Sequence, residues 1–122
     1  MKVKKQEKDI RQFIVLRPVG FNELVDIDLH DFNHDVYRAL DIECYEHVHI
    51  GSVNGVDLHM LVDEIGALNN SRLNPEATYL YGRNIFGSVL LCTTLQLRNG
   101  EEIFAPFDGS EFIKMCSIFL RR

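Results

Sequence analysis

Histidines and acidic side chains are the residues of this sequence best suited to metal binding or acid–base chemistry. His47, His49 and His59 stand close together in the chain, and imidazole is the commonest metal ligand among side chains. Asn54-Gly55 lies between His49 and His59. This dipeptide predicts a two-residue hairpin turn, because both residues tolerate a positive φ.

The register of that hairpin decides whether the three histidines meet. A tight turn pairs His49 with Met60 and Ile50 with His59, and residues that face each other share one face of a sheet. His59 then lies on the face opposite to His47 and His49. The regular register therefore predicts no metal site and no cofactor, a conclusion that a one-residue bulge would reverse.

Nucleophilic catalysis is not indicated by any motif. The sequence contains no GxSxG, no HExxH and no phosphate-binding glycine loop. The three cysteines are far apart and have apolar neighbours, which predicts buried thiols in a reducing cytoplasm. Asp63 or Glu64 acting as a general base beside a histidine is the enzymatic alternative. We expect a non-enzymatic protein.

The middle third of the chain is strongly acidic. The net charge is −5, and more than half of the 18 acidic residues lie between Glu23 and Glu64, where Arg38 is the only lysine or arginine. Such a surface repels nucleic acid and favours docking on a basic surface of a protein. We therefore expect the partner to be a host protein that itself binds nucleic acid. The candidate partner-binding residues are Asp26, Asp28, Asp31, Asp35, Glu43 and Glu46.

Hydrophobic patterns predict one α+β domain over residues 12–122, preceded by a charged segment over residues 1–11. Strands are predicted at 13–16, 24–29, 43–50, 56–63, 88–97 and around 103–104. Helices are predicted at 32–40, at 75–81 and from Asp108 or Ser110 onward. The sum is a mixed, mainly antiparallel sheet with two or three helices packed on it.

Association with a membrane is not predicted, since no apolar run approaches the ~18 residues that span a bilayer. No signal peptide is recognisable either, so a cytoplasmic location is expected. The apolar stripe of the last helix suits the core of a monomer and the interface of a homodimer equally well.

The segment from Asp63 to Gly82 suggests a second kind of site. Asn74 before Pro75 predicts a helix N-cap. The polar loop around it predicts either a structural connection or a small-ligand site. In the second case Asn69, Asn74, Tyr79 and Arg83 are the residues expected to line a pocket for a nucleotide-like ligand.

The same segment carries a resemblance to a known family. Its residues are Asp63-Glu64-x-Gly66-x-Leu68, then Asn74, Ala77-Thr78 and Ile85-x-Gly87-x-Val89-Leu90. This pattern resembles the family catalogued as domain of unknown function 3846, over residues 50–91. Members occur on phages, plasmids and conjugative elements.

The resemblance implies a mobile-element origin and supplies no established activity. It also implies a positive-φ turn at Gly66, a cap or loop-closing side chain at Asn74 and a close backbone approach at Gly87. The resulting hypothesis is a small phage-type or mobile-element-type binding protein that masks a host defence factor through an acidic surface. The alternatives are a nucleotide-binding module and a minor enzyme.

Overall fold

The computed structural model describes residues 7–120, and these form one sheet with helices on both faces. The elements in chain order are β1 (Ile10–Leu16), β2 (Glu23–Asp28), α1 (Phe32–Leu40), β3 (Tyr45–Val53), β4 (Val56–Asp63), α2 (Pro75–Tyr81), β5 (Val89–Gln96), β6 (Glu102–Ala105) and α3 (Gly109–Phe119). Residues 1–6 of the predicted charged segment lie outside the described residues. Ile10 and Arg11, predicted for that segment, belong to β1.

The sheet has the strand order β2-β1-β5-β4-β3, and β6 pairs with the second half of β5. All of these strand pairs are antiparallel. The predicted α+β class, with a mainly antiparallel sheet, is therefore confirmed. None of the helices in residues 7–120 is both long and apolar enough to cross a membrane.

Two apolar layers cover the two faces of the sheet. Central strand β1 shows why: Phe13 and Val15 pack with α1, whereas Ile14 and Leu16 pack with α2 and α3. All four side chains are buried, because side chains alternate between faces and a central strand is covered on both. Each face therefore has its own core.

The turn of the β3–β4 hairpin lies at the predicted residues, but the two strands do not pair in the predicted register. Asn54 and Gly55 both have positive φ, and Val53 pairs with Val56 as expected. Further from the turn, Gly51 pairs with Leu58 while His49 pairs with His59, so Ile50 is an extra residue in β3. This is a β-bulge.

Gly51 is the residue that permits the bulge. Its φ is +112°, a backbone conformation that side-chain-bearing residues rarely adopt. The prediction that His49 faces Met60 was therefore wrong. The hairpin signal gave the turn correctly, but a single extra residue changed which side chains share a face.

Two glycines of the 63–87 connection exchange the roles that the family resemblance implied. Gly87, expected to allow a close approach, has φ +86°. Gly66, expected to have a positive φ, instead lies so close to the next segment that an added Cβ would be 2.8 Å from the Phe86 carbonyl oxygen. Both glycines lie where two parts of the connection run close together.

Candidate functional site

A cluster of three histidines and one aspartate lies on the β3–β4 hairpin. His47 and His49 come from β3, and Asp57 and His59 come from β4. Because of the bulge, all four side chains meet on one face of the sheet. The same face carries α1 over its other strands, where the Val36 side chain of that helix is buried.

Hydrogen bonds join the four side chains in one continuous chain. Asp57 Oδ1 lies 2.7 Å from His49 Nε2, and Asp57 Oδ2 lies 2.8 Å from His59 Nε2. On its other side, His59 Nδ1 lies 2.6 Å from His47 Nε2. His59 is 5% exposed, whereas the other three residues are exposed to solvent. The central imidazole therefore has both ring nitrogens occupied by neighbouring side chains.

Ring contacts hold these imidazoles in place. The rings of His49 and His59 have centroids 4.2 Å apart and planes 8° from parallel. His47 lies edge to edge with His59, with centroids 4.9 Å apart, and Phe104 of β6 packs its ring against His47, also at 4.9 Å and at 66°. Phe104 and Tyr45 also line a small cleft of about 270 Å³ beside the cluster.

The cluster also determines which of its groups are charged. Hydrogen bonds from His49 and then from His59 hold the pKa of Asp57 below its usual value. Desolvation, followed by the charges of His59 and His49, lowers the pKa of His47. Asp57 is therefore a carboxylate at neutral pH, and a carboxylate only accepts hydrogen bonds. Both Nε2 atoms must donate to it.

The donor set suits a transition metal. One ligand atom each from His49, Asp57 and His59 lie within 4.8 Å of one another. Two imidazole nitrogens and one carboxylate oxygen are ligands that zinc and related divalent metals use, and three protein ligands leave a coordination position open. Because the two rings are nearly parallel, binding both Nε2 atoms to one ion requires them to tilt toward each other.

A second group of the same residue types offers a comparison. Asp31, His34 and Asp35 also lie within 4.8 Å of one another, at the start of α1. Asp35 already accepts hydrogen bonds from the backbone N–H of Asp28 and from Arg38. Its carboxylate therefore has a structural role, and this group provides an internal control for the histidine cluster.

Of the four residues predicted to line a ligand pocket, Asn74 is buried, whereas Asn69, Tyr79 and Arg83 are exposed. Asn74 is fully buried, and its side chain binds only backbone: Oδ1 accepts from Ala77 N–H at 3.1 Å, and Nδ2 donates to the carbonyls of Leu16 and Gly87. This corrects its assignment as a ligand contact, although the predicted N-cap is present. Asn69 donates to Asp63, and Tyr79 is 88% exposed.

The six predicted partner-binding acids do not share one surface. Asp26 lies on β2 and Glu46 on β3, which are opposite edges of the sheet and about 19 Å apart across four strand spacings. Asp35 is buried, which corrects its assignment as a docking residue. Asp28 accepts from the N–H groups of His30 and Asp9, so its carboxylate also stabilises local structure.

A different set of acids does come together at the end of the β3–β4 hairpin away from the turn. Tyr45 pairs with Asp63, and Glu64 N–H donates to the Cys44 carbonyl. These contacts join the start of β3 to the end of β4. The acids of this acidic end are Glu43, Glu46, Asp63 and Glu64.

Comparisons with known proteins show a fold and no family. No protein-family model matches this chain, and no curated protein matches it. Among solved structures, the small RNA methyltransferase HEN1 superposes with a TM-score of 0.60 and 12% sequence identity. The match covers 91% of this chain and 16% of that one. At this identity the likeness concerns the fold alone, and this chain spans about a sixth of the length of that protein.

Proposed function

We propose that this protein binds a divalent transition metal of the zinc class through His49, Asp57 and His59. The observation that supports the proposal is that the bulge brings two imidazoles and a carboxylate of paired strands within 4.8 Å. Magnesium and calcium prefer oxygen ligands, so the two imidazoles favour zinc, cobalt, nickel or iron. The role proposed is binding, without catalysis.

The proposed metal acts as a bound ligand and is not needed for folding. Both faces of the sheet have apolar cores of their own. Within residues 7–120, every buried side-chain nitrogen or oxygen has a hydrogen-bond partner without a metal. Structural zinc sites, by contrast, supply folding energy to domains that lack a sufficient core.

Cobalt titration followed by visible absorption tests this proposal. We expect one Co²⁺ ion per chain, displaced by Zn²⁺, for the wild-type protein. Asp57→Asn and His59→Gln should each weaken binding by at least tenfold, about the minimum loss caused by removing even a partner of a metal ligand. His34→Gln, a histidine of the control group, should bind like the wild type. Unchanged affinity in Asp57→Asn would refute the site.

A second candidate function is supported by the acidic end of the hairpin. We propose that this protein is of phage or mobile-element type. Its acidic end would mask a basic surface of a host factor, such as a nucleic-acid-binding defence protein. Glu43, Glu46 and Glu64 are exposed, so they are free to meet a partner. Attraction between exposed charges is screened by salt.

Affinity capture from a bacterial lysate tests this second candidate. A host protein should be retained at about 50 mM salt and released at about 500 mM salt, where the Debye length is much shorter. The triple variant Glu43→Gln, Glu46→Gln and Glu64→Gln should lose it. A matched variant at Glu101 and Glu111, which lie elsewhere on the surface, should retain it. Retention that ignores salt counts against the mechanism.

A further inference from the structure

The two histidine ligands of the proposed metal site differ in how their second ring nitrogen is satisfied. The side chain of His49 is 56% exposed, so water is available to its ring. The side chain of His59 is 6% exposed, and its Nδ1 lies 2.6 Å from His47 Nε2. A buried imidazole cannot rely on water, so His59 depends on a protein partner.

We propose that His47 is a positioning residue that holds His59 in the tautomer and orientation in which Nε2 is presented to the metal. This inference rests on the proposed metal site. A neutral imidazole that binds a metal through Nε2 keeps its proton on Nδ1, and that N–H needs an acceptor. His47 Nε2 is the acceptor within hydrogen-bonding distance of it.

Without metal, the hydrogen bond between the two histidines runs in the opposite direction. His59 Nε2–H donates to Asp57 Oδ2, so Nδ1 of a neutral His59 accepts from His47 Nε2–H. When the metal takes the Nε2 lone pair, the proton of His59 is on Nδ1 and donates to His47 Nε2. His47 then carries its own proton on Nδ1. The two rings hold the same number of protons before and after binding.

The surroundings of His47 fit a positioning role. Phe104 packs against its ring with centroids 4.9 Å apart, and the ring itself lies edge to edge with that of His59, with planes 21° apart. These contacts fix the plane of His47 and direct its Nε2 atom at His59 Nδ1. The hydrogen bond to His59 is therefore defined by packing before any metal arrives, as conserved outer partners of metal ligands commonly are.

A matched pair of variants tests the proposal. His47→Phe keeps a ring against Phe104 but removes the acceptor, and we expect it to weaken Zn²⁺ binding by about 10–100-fold. His47→Gln places an amide oxygen near the former Nε2 and should restore most of the affinity, leaving a loss below about tenfold. Urea unfolding of both variants checks that the fold is kept.

The tautomer supplies a readout that a purely structural role would not change. Nitrogen NMR of ¹⁵N-labelled wild type should place the His59 proton on Nε2 without zinc and on Nδ1 with zinc. Equal zinc affinity of His47→Phe and wild type, or a zinc-bound His59 with its proton on Nε2, overturns the role of His47 while leaving the metal site intact. Failure of the wild type to bind zinc overturns both.

Discussion

Asn74 and the histidine cluster are two concentrated groups of polar side-chain contacts, and they differ in their partners. Asn74 binds three backbone groups, from β1, α2 and the turn before β5. The histidine cluster binds almost entirely to itself, through side chains of β3 and β4. Asn74 therefore links separate segments of the chain. The histidine cluster links only β3 and β4, which backbone hydrogen bonds already join.

This difference distinguishes a polar side chain that holds the fold together from polar side chains that are available for function. Three segments would lose a hydrogen bond without Asn74, and its burial leaves no room for water to replace it. The cluster, by contrast, exposes three of its four residues. The hairpin beneath it is already held by backbone pairing and by the apolar residues on its other face.

The largest expected effect is therefore on stability, at Asn74. Asn74→Ala removes the helix cap and takes a donor from the carbonyls of Leu16 and Gly87. It should lower the free energy of unfolding by about 3–5 kcal/mol. Asn74→Asp keeps the cap acceptor, but its buried carboxylate would face the Leu16 and Gly87 carbonyls without a donor, so we expect a loss at least as large. Urea unfolding measures both. A loss below about 1 kcal/mol for the alanine variant would contradict the structural role of Asn74.

Metal should stabilise the protein through the cluster by the next largest amount. Free Zn²⁺ at a hundred times its dissociation constant should raise the free energy of unfolding by about 2.7 kcal/mol, if the unfolded chain does not bind the ion. Asp57→Asn should remove this gain at the same zinc concentration. Thermal unfolding with and without Zn²⁺ provides the measurement, and an equal gain in both proteins contradicts the assignment.

The bulge should show an intermediate effect. Gly51→Ala forces a side-chain-bearing residue to φ +112° and should destabilise the protein by about 1–2 kcal/mol. Deleting Gly51 should instead give a regular hairpin in which His49 still faces His59. The deletion variant is therefore expected to keep metal binding, as measured by cobalt absorption. Loss of binding in a folded deletion variant would mean that the bulge does more than set the register.

The smallest effects should be seen at the thiols, which extend the comparison of buried and accessible groups. Cys92 is buried, and burial raises its pKa, so it should react with Ellman's reagent only on unfolding. Cys44 is exposed, and its hydrogen bond to Glu64 raises its pKa. Glu64→Gln should therefore speed the reaction of Cys44 at pH 8, because more thiolate forms. Rapid reaction of Cys92 in the native state would contradict the burial.

Local signals in the sequence were enough to predict most of the fold. The Asn54-Gly55 turn and the Asn74 cap each follow from the conformations that these residues favour, and both are present. The α+β class follows from the alternation of apolar patterns. Each of these features depends on neighbouring residues only.

The site was not predictable in the same way. Whether His49 faces His59 depends on counting residues along two strands, and one extra residue reverses the answer. Gly51, between the predicted strand 43–50 and the Asn54-Gly55 turn, was the available sign of a bulge, since it lies inside the observed β3. The prediction of one shared acidic surface failed for a related reason. The strand order that places Asp26 and Glu46 at opposite edges of the sheet is a property of the whole chain.

The most direct test of the metal site is anomalous diffraction at the zinc edge from crystals of the protein grown with equimolar Zn²⁺. One anomalous peak is expected, about 2.0–2.2 Å from His49 Nε2, His59 Nε2 and a carboxylate oxygen of Asp57. The rings of His49 and His59 should be tilted from their present 8°. A peak at Asp31 and His34, or no peak at the cluster, would contradict the account.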